Sequence, residues 1–282
     1  MIEERAPAKL NLALHVRRRR ADGYHDIETL FAFCAEGDVV VVSEGEECFE
    51  ISGPYAAELC APSKAGAQAE LPPSREHNLV TRASDRFCAT FAITTPHTIH
   101  LEKNLPVASG IGGGSADAAA TLRALARLHG VALDDPRLTA IAAALGADVP
   151  ACLLGRPAFG TGRGDTLLPV AGVSGTPVLL ANPSVAVSTA AVFAGWNGAD
   201  RGALAPADWR EGRNDLEPPA KALAPVIADV LAAMSAQPGA TLARMSGSGA
   251  TCFALFDDAT GRDAAAIELA RPGWWLLATT LT

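Results

Sequence analysis

The sequence predicts an α+β fold in two domains, residues 1–160 and 161–282, and three observations carry that prediction. In the N-terminal part strand-like runs come first and helical runs follow, the order expected when helices gather on one side of a sheet. Beyond residue 160 a new series of short strands and helices begins. Between the two, the stretch LPVASGIGGGSADAAA at residues 105–120 runs a glycine-rich turn straight into an alanine-rich helix.

The elements follow in order. Residues 9–16 alternate, with Leu10, Leu12, Leu14 and Val16 on one face and Lys9, Asn11, Ala13 and His15 on the other, which predicts a half-buried strand. RRRRADGYH at 17–25 reads as a polar, solvated loop turning at Asp22-Gly23. Residues 27–34 and 39–43 predict two strands separated by a turn at Glu36-Gly37-Asp38, and 48–51 a short third. Residues 53–75, rich in Ala, Pro, Gly and Ser, read as a loop or insertion. Asn78 is placed to cap a helix over 79–91, and 98–102 reads as a strand. A helix from Ser115 to about His129 carries Leu122, Leu125 and Leu128 on one side and ends at Gly130. Asp134-Asp135-Pro136 opens another, which Gly146 stops. The second part reads as a strand at 177–182, helical segments around 189–195 and 219–236, strands at 240–245 and 251–256 separated by SGSG, a helix at 263–270 and a strand at 274–281. The order strand–helix–strand–strand–helix–strand is that of a ferredoxin-like split βαβ domain. A ligand site is expected between the two domains, a common place for one.

Composition narrows the function classes. The 282 residues are 49% hydrophobic, with a formal net charge of -8 and a pI near 5.3. An acidic chain lacks the basic footprint of a non-specific nucleic-acid binder, so an anionic ligand must be held by local geometry. Cys34, Cys48, Cys60, Cys88, Cys152 and Cys252 form no CxxC pair and read as thiols of a reducing compartment. MIEERAPAK lacks the apolar core of a signal peptide, and no apolar run approaches the roughly 20 residues of a membrane span. A cytoplasmic protein, a monomer or weak homodimer with no membrane and no nucleic-acid partner, is expected.

The glycine-rich stretch is a candidate anion cradle. Small residues let backbone amides converge on a ligand, and the helix start adds unpaired N–H groups and a positive dipole end. No Lys-Ser or Lys-Thr follows the last glycine, so this is not a Walker A motif, nor does it fit the dinucleotide fingerprint. A plain connector needs at most one or two glycines, fewer than Gly110, Gly112, Gly113 and Gly114 supply. PVASGIGGGSADAA, together with APAKLNLALHV near the N-terminus and MSGSGATCFALF at 245–256, resembles the three motifs of the GHMP small-molecule kinases, in the right order and across nearly the whole chain. The resemblance implies a ribosomal-protein-like N-terminal domain and a ferredoxin-like C-terminal one. PAKLNL, ADGYH, GIGGGSADAA, LGADVP and RNDLE most resemble a branch of the family whose acceptor is a cytidine-diphosphate-linked branched tetritol. A homoserine or mevalonate type of kinase is the alternative, against which DGYH and Phe193 speak.

The resemblance carries the site residue by residue. Pro106, Val107, Ala108, Ser109, Gly110, Ile111, Gly112, Gly113, Gly114, Ser115 and Ala116 match the ATP-binding motif. The cofactors implied are ATP as phosphoryl donor and Mg²⁺, with Ser115 a possible metal ligand. By residue type alone Lys9 is an exposed strand lysine and Asp148 a helix N-cap; by resemblance they are the catalytic lysine and aspartate. Asn11, on the face of Lys9, matches a substrate-contacting asparagine. Tyr24 and His25 match residues that stack on and hydrogen-bond the cytosine, and Phe193 the second side of that sandwich; stacking tolerates any base, so discrimination is expected from polar contacts to the base edge, including His25. Ser246 to Gly249 are expected to shape the edge of the site. His97 and His100, HxxH on a strand, would not converge on a metal. A nucleotide-binding regulator without catalysis and an RNA-associated domain are the other classes; retention of Lys9 and Asp148 argues against the first, the net charge against the second.

Overall fold

The computed structural model describes residues 1–60 and 78–282, and its contacts divide into two units. The first comprises Met1–Ala8, Gly37–Val107 and Gly112–Leu154, the second Lys9–Glu36, Ala108–Ile111 and Gly155–Thr282. Two long paired strands, β1 (Ile2–Arg19) and β2 (His25–Glu44), each contribute one part to each unit. Much of the predicted insertion at 53–75 lies outside the described residues; its start forms a short helix, α1 (Ala56–Cys60).

In the first unit β3 (Cys48–Ser52) runs parallel to β4 (His97–Glu102), and β4 pairs antiparallel with residues 39–44 of β2. Helices α2 (Leu79–Phe91), α3 (Gly113–Leu128), α4 (Pro136–Leu145) and α5 (Val149–Leu154) pack on one another. The predicted cap forms at Asn78, whose Oδ1 accepts the Val80 N–H at 2.9 Å, and at the second helix start Asp135 is the capping residue, its Oδ1 accepting the Arg137 N–H at 2.9 Å. The many alanines of α3 are buried nearly all round, because a helix with small side chains can be approached from several sides. Its far end is tied to β4 by a 2.7 Å contact between the Nε2 atoms of His97 and His129.

Two expectations fail here. Residues 27–43 are one strand, not two separated by a turn. Gly37 lies in the middle of β2 because a Cβ there would come within 2.1 Å of the Ala6 carbonyl oxygen; glycine in a strand marks a close backbone approach as well as a turn. Second, α3 begins at Gly113 rather than Ser115, so the last two glycines of the turn form the helix's first residues.

In the second unit residues 29–31 of β2 pair with β5 (Ala158–Thr161), which pairs with β6 (Thr166–Pro169). A separate antiparallel sheet has the order β10 (Trp275–Thr280), β7 (Pro177–Asn182), β9 (Cys252–Phe256), β8 (Ala240–Met245). Taken along the chain, that spatial order is fourth, first, third, second, and with α8 (Val226–Ser235) and α9 (Ala259–Glu268) packed on it this is the predicted ferredoxin-like arrangement. Its core joins Leu179, Ile227, Val230, Met234, Met245 and Phe256 to Leu14 and Val16 of β1. The chain between carries α6 (Thr189–Ala194), a 3₁₀ turn at Pro206–Glu211 and α7 (Glu217–Leu223). The helix predicted over 219–236 is therefore two, α7 and α8, divided before Pro225, which has no N–H to donate. Among the described residues no helix is long and apolar enough to cross a membrane.

Candidate active site

The polar face of β1 is the first surprise. Alternation predicts one wet face, yet every residue from Ala8 to Val16 is buried, Lys9 to 2% exposure and Asn11 to 3%. The expected exposed lysine is a buried one, because the polar face is covered by segments distant in sequence. Lys9 Nζ donates to Asn11 Oδ1 at 2.9 Å, Asn11 Nδ2 to Thr29 Oγ1 at 2.8 Å, and Thr29 Oγ1 to the Ala13 carbonyl at 2.7 Å. The ammonium also stands 5.5 Å from the centre of the Phe31 ring. The Asn11 N–H donates to Ser246 Oγ at 3.1 Å, which brings the third motif onto the first.

Further along β1 the cover continues. Arg244, 7% exposed, donates to the carbonyls of Leu12, Trp209, Arg210 and Gly212, and burial pushes its pKa down. Asn214 Nδ2 donates to the Met245 and Gly247 carbonyls at 2.8 Å each, while Asp215 accepts the Val16 N–H at 2.9 Å. Sequence reasoning missed Arg244 and the roles of Asn214 and Asp215; the local signal was a charged residue in an otherwise apolar strand just before the SGSG turn, and RNDLE carried none beyond its resemblance to the family.

The glycine loop meets this strand directly. The Lys9 N–H donates to the Ile111 carbonyl at 2.9 Å. Gly110 (φ 81°) and Gly112 (φ 67°) adopt the left-handed backbone that glycine favours. At Gly110 there is a second reason: a Cβ would fall 2.3 Å from the Gly249 carbonyl oxygen. The second and third glycine motifs are thus packed backbone to backbone. Thr251 Oγ1 donates to the Ser109 carbonyl at 2.6 Å, and Asn182 Nδ2 reaches Thr251 Oγ1 at 2.8 Å. Gly112 caps α3 with no side chain, and the first helical bond runs from the Ala116 N–H to the Gly112 carbonyl at 2.8 Å. The amides of the first turn, those of Gly113 to Ser115, have no acceptor within the helix, and the dipole of a 16-residue helix stands behind them.

Asp148 immediately precedes α5, and its carbonyl accepts the Cys152 N–H at 3.1 Å, the backbone position of a helix cap. It is half-buried and belongs to the first unit, whereas Lys9 belongs to the second. Ser115 is the third residue of α3. Among the described residues no group of three or more His, Cys, Asp or Glu gathers to hold a metal ion.

The rings of His25 and Phe193 lie directly against each other, their centres 4.9 Å apart and tilted by 32°. Trp196, which sequence reasoning missed, presses edge-on to His25 at 5.7 Å. Burial, with Arg19 nearby, pushes the His25 pKa below its ordinary value. Tyr24 is 52% exposed, with the Arg163 guanidinium 5.0 Å from its ring centre. The arginine run is not the free solvated loop that composition suggests. Arg17, Arg18 and Arg19 belong to β1, Arg17 pairs with Glu28 and Asp200, Arg18 with Asp26, and Arg20 with Asp22 and Asp26.

Residues 78–156 match the model of the GHMP kinases N terminal domain and residues 199–272 that of the GHMP kinases C terminal domain. A 4-diphosphocytidyl-2-C-methyl-D-erythritol kinase of Rhizorhabdus wittichii is 54% identical, over 99% of this chain and 94% of its own. One of Sphingopyxis alaskensis is 48% identical over 97% and 96%. A crystal structure of 4-(cytidine 5'-diphospho)-2C-methyl-D-erythritol kinase superposes with a TM-score of 0.82 at 34% identity, covering 99% of both chains. A homoserine kinase of Cytophaga hutchinsonii shares the fold, with a TM-score of 0.71 at 20% identity over 99% of this chain and 94% of its own.

Proposed function

This chain belongs to the GHMP kinases, and from that premise we propose that it transfers the γ-phosphoryl group of ATP to the 2-hydroxyl of 4-diphosphocytidyl-2-C-methyl-D-erythritol, in the non-mevalonate route to isoprenoid precursors. The observation that carries this reading is the buried Lys9–Asn11 pair at the glycine loop, in a chain whose full-length relatives bear that enzyme's name.

Phosphoryl transfer passes through a loose transition state, so the protein's work is positioning and charge stabilisation. The first-turn amides of α3 and the loop at 106–116 would hold the phosphates of ATP. Mg²⁺ suits this donor set, since it is commonly held by substrate phosphates with few protein oxygens; Ser115 would offer one such oxygen, and the ion would neutralise phosphate charge. Asn11 holds the Lys9 side chain within the buried face of β1, where a fixed cation acts through less screening than in water. Asp148, as the catalytic aspartate, would orient the acceptor hydroxyl and take its proton late in the transfer, in keeping with a loose transition state. His25 and Phe193 supply a preformed aromatic wall for the cytosine, and half-exposed Tyr24 a second face.

The test is ATP consumption with the cytidine-linked methylerythritol substrate, set beside the same substrate lacking cytidine. A strict need for cytidine is expected. Equal use of both acceptors removes the base pocket, and no turnover of either removes the function.

A further inference from the structure

In the first unit, where both ends of the glycine loop belong, lies a buried ion cluster that the proposed mechanism does not use. Lys103 follows β4 and is 2% exposed. Its ammonium donates to Asp38 of β2 and, at 2.9 Å, to Asp117 of α3; these carboxylates are 0% and 3% exposed. The other Asp38 oxygen accepts the N–H groups of Asn104 at 2.6 Å and Leu105 at 2.8 Å, the residues from which the loop departs. At the loop's return, Lys103 Nζ lies 3.0 Å from where a Gly113 side chain would begin. One ammonium therefore touches the start of α3 and, through Asp38, the start of the loop.

The charge balance gives the three groups different roles. Two ionised carboxylates around one ammonium leave a net negative charge in a buried place, which is unfavourable. Burial pushes the Asp117 carboxyl up to about 8, with Lys103 opposing, and Asp117 Oδ1 is buried without a hydrogen-bond partner. For Lys103, burial disfavours the charge, but the two carboxylates outweigh it and the pKa rises.

We propose that Lys103 and Asp38 are positioning residues for the nucleotide: together they pin both ends of the glycine loop and so set its geometry for ATP, a role that rests on the reading of this loop as the ATP site. Without the ammonium, Asp38 is left as an uncompensated buried charge. It must then take up a proton or turn to water, and either change weakens its hold on the Asn104 and Leu105 amides. Removing the Asp38 charge as well relieves the imbalance.

The experiment measures calorimetric binding of a non-hydrolysable ATP analogue and, separately, of cytidine 5'-diphosphate. Wild type, Lys103→Met, Asp38→Asn and the double variant are compared, with their melting temperatures. Lys103→Met is expected to weaken the ATP analogue roughly tenfold, about 1.4 kcal/mol by RT ln 10, while cytidine diphosphate binds as before. The double variant should recover part of the loss, which general destabilisation would not allow. Should Lys103→Met not fold, Asp38→Asn, which keeps the side chain's shape, is expected to shift the same ligand in the same direction. Equal losses for both ligands, or no loss for either, overturn the proposal while leaving the function standing. A wild-type protein that binds no ATP analogue overturns both.

Discussion

Replacing Gly110 with alanine tests whether the second and third glycine motifs are locked together as packed backbones. Two costs can be worked from the structure. Gly110 sits at φ 81°, where a residue bearing a Cβ loses roughly 1–2 kcal/mol. The new methyl would also lie 2.3 Å from the Gly249 oxygen and 2.8 Å from its carbonyl carbon, whereas ordinary contact begins near 3.4 Å. One backbone must therefore move by about 1 Å, and forcing extra volume into a packed site costs roughly 1–3 kcal/mol. The sum, about 2–5 kcal/mol, is a large part of a typical stability of about 5–15 kcal/mol. At roughly 2–4 °C per kcal/mol for a chain of this size, thermal unfolding should shift down by about 4–20 °C. The same movement displaces Ile111, which holds the Lys9 amide, and a 1 Å misplacement near the chemistry can cost about 10²-fold in turnover. Gly130→Ala provides the control: Gly130 has φ 66° but open space where the Cβ would go, so only the first cost applies. Melting curves and steady-state kinetics with varied ATP read both effects. If Gly110→Ala melts no lower than Gly130→Ala and keeps wild-type kinetics, the packed-backbone argument is wrong.

Further expectations concern the catalytic pair, the cover of β1 and pH. Asp148→Asn should cut kcat by roughly 10²–10⁴, the usual worth of a positioned acid–base group, with ATP still binding; Lys9→Ala should lose a similar factor, and near-normal turnover in either removes that assignment. Asn214→Ala strips the donors from two buried carbonyls, and at roughly 1–3 kcal/mol per unsatisfied group urea unfolding should show a loss of about 2–6 kcal/mol; a change below about 0.5 kcal/mol, the range of a surface substitution, would contradict this role. His15 is held neutral, donating its Nδ1–H to the Gly202 carbonyl and accepting the Arg213 N–H on Nε2, and burial lowers its pKa below 6.5. The unfolded chain then binds a proton that the folded chain refuses, so this contribution is present above pH 6.5 and is lost as pH falls through the folded value. The urea midpoint should drop between pH 7 and 5, and less steeply in His15→Gln; an identical slope in that variant would exclude His15 as the source.

Much of the fold was legible because its signals are local. Asn78 and Asp135 announce helix starts by residue type, Gly130 and Gly146 announce ends, and the spacing of the last strands and helices reads out a ferredoxin-like order. The misreadings share one cause. Gly37 resembles a turn residue until Ala6 is placed against it, and the RRRR run resembles a solvated loop until Glu28, Asp26 and Asp200 are brought to it. In each case the deciding atom belongs to another segment.

The candidate site divides along the same line. Local residue types already mark the glycine loop, the helix it opens, the kind of ligand such a turn can cradle, and the chemistry available at Lys9, Asn11, His25, Phe193 and Asp148. Long-range packing is what buries Lys9 rather than exposing it, sets Gly110 against Gly249, and places Lys103 between two carboxylates at the ends of the loop. Periodicity and capping are set by bonds within a few residues, and they leave a pattern in the chain. The Asn11–Ser246 bond spans 235 residues and the Arg244–Leu12 bond 232; contacts that distant leave no period to read, because folding alone brings the partners together.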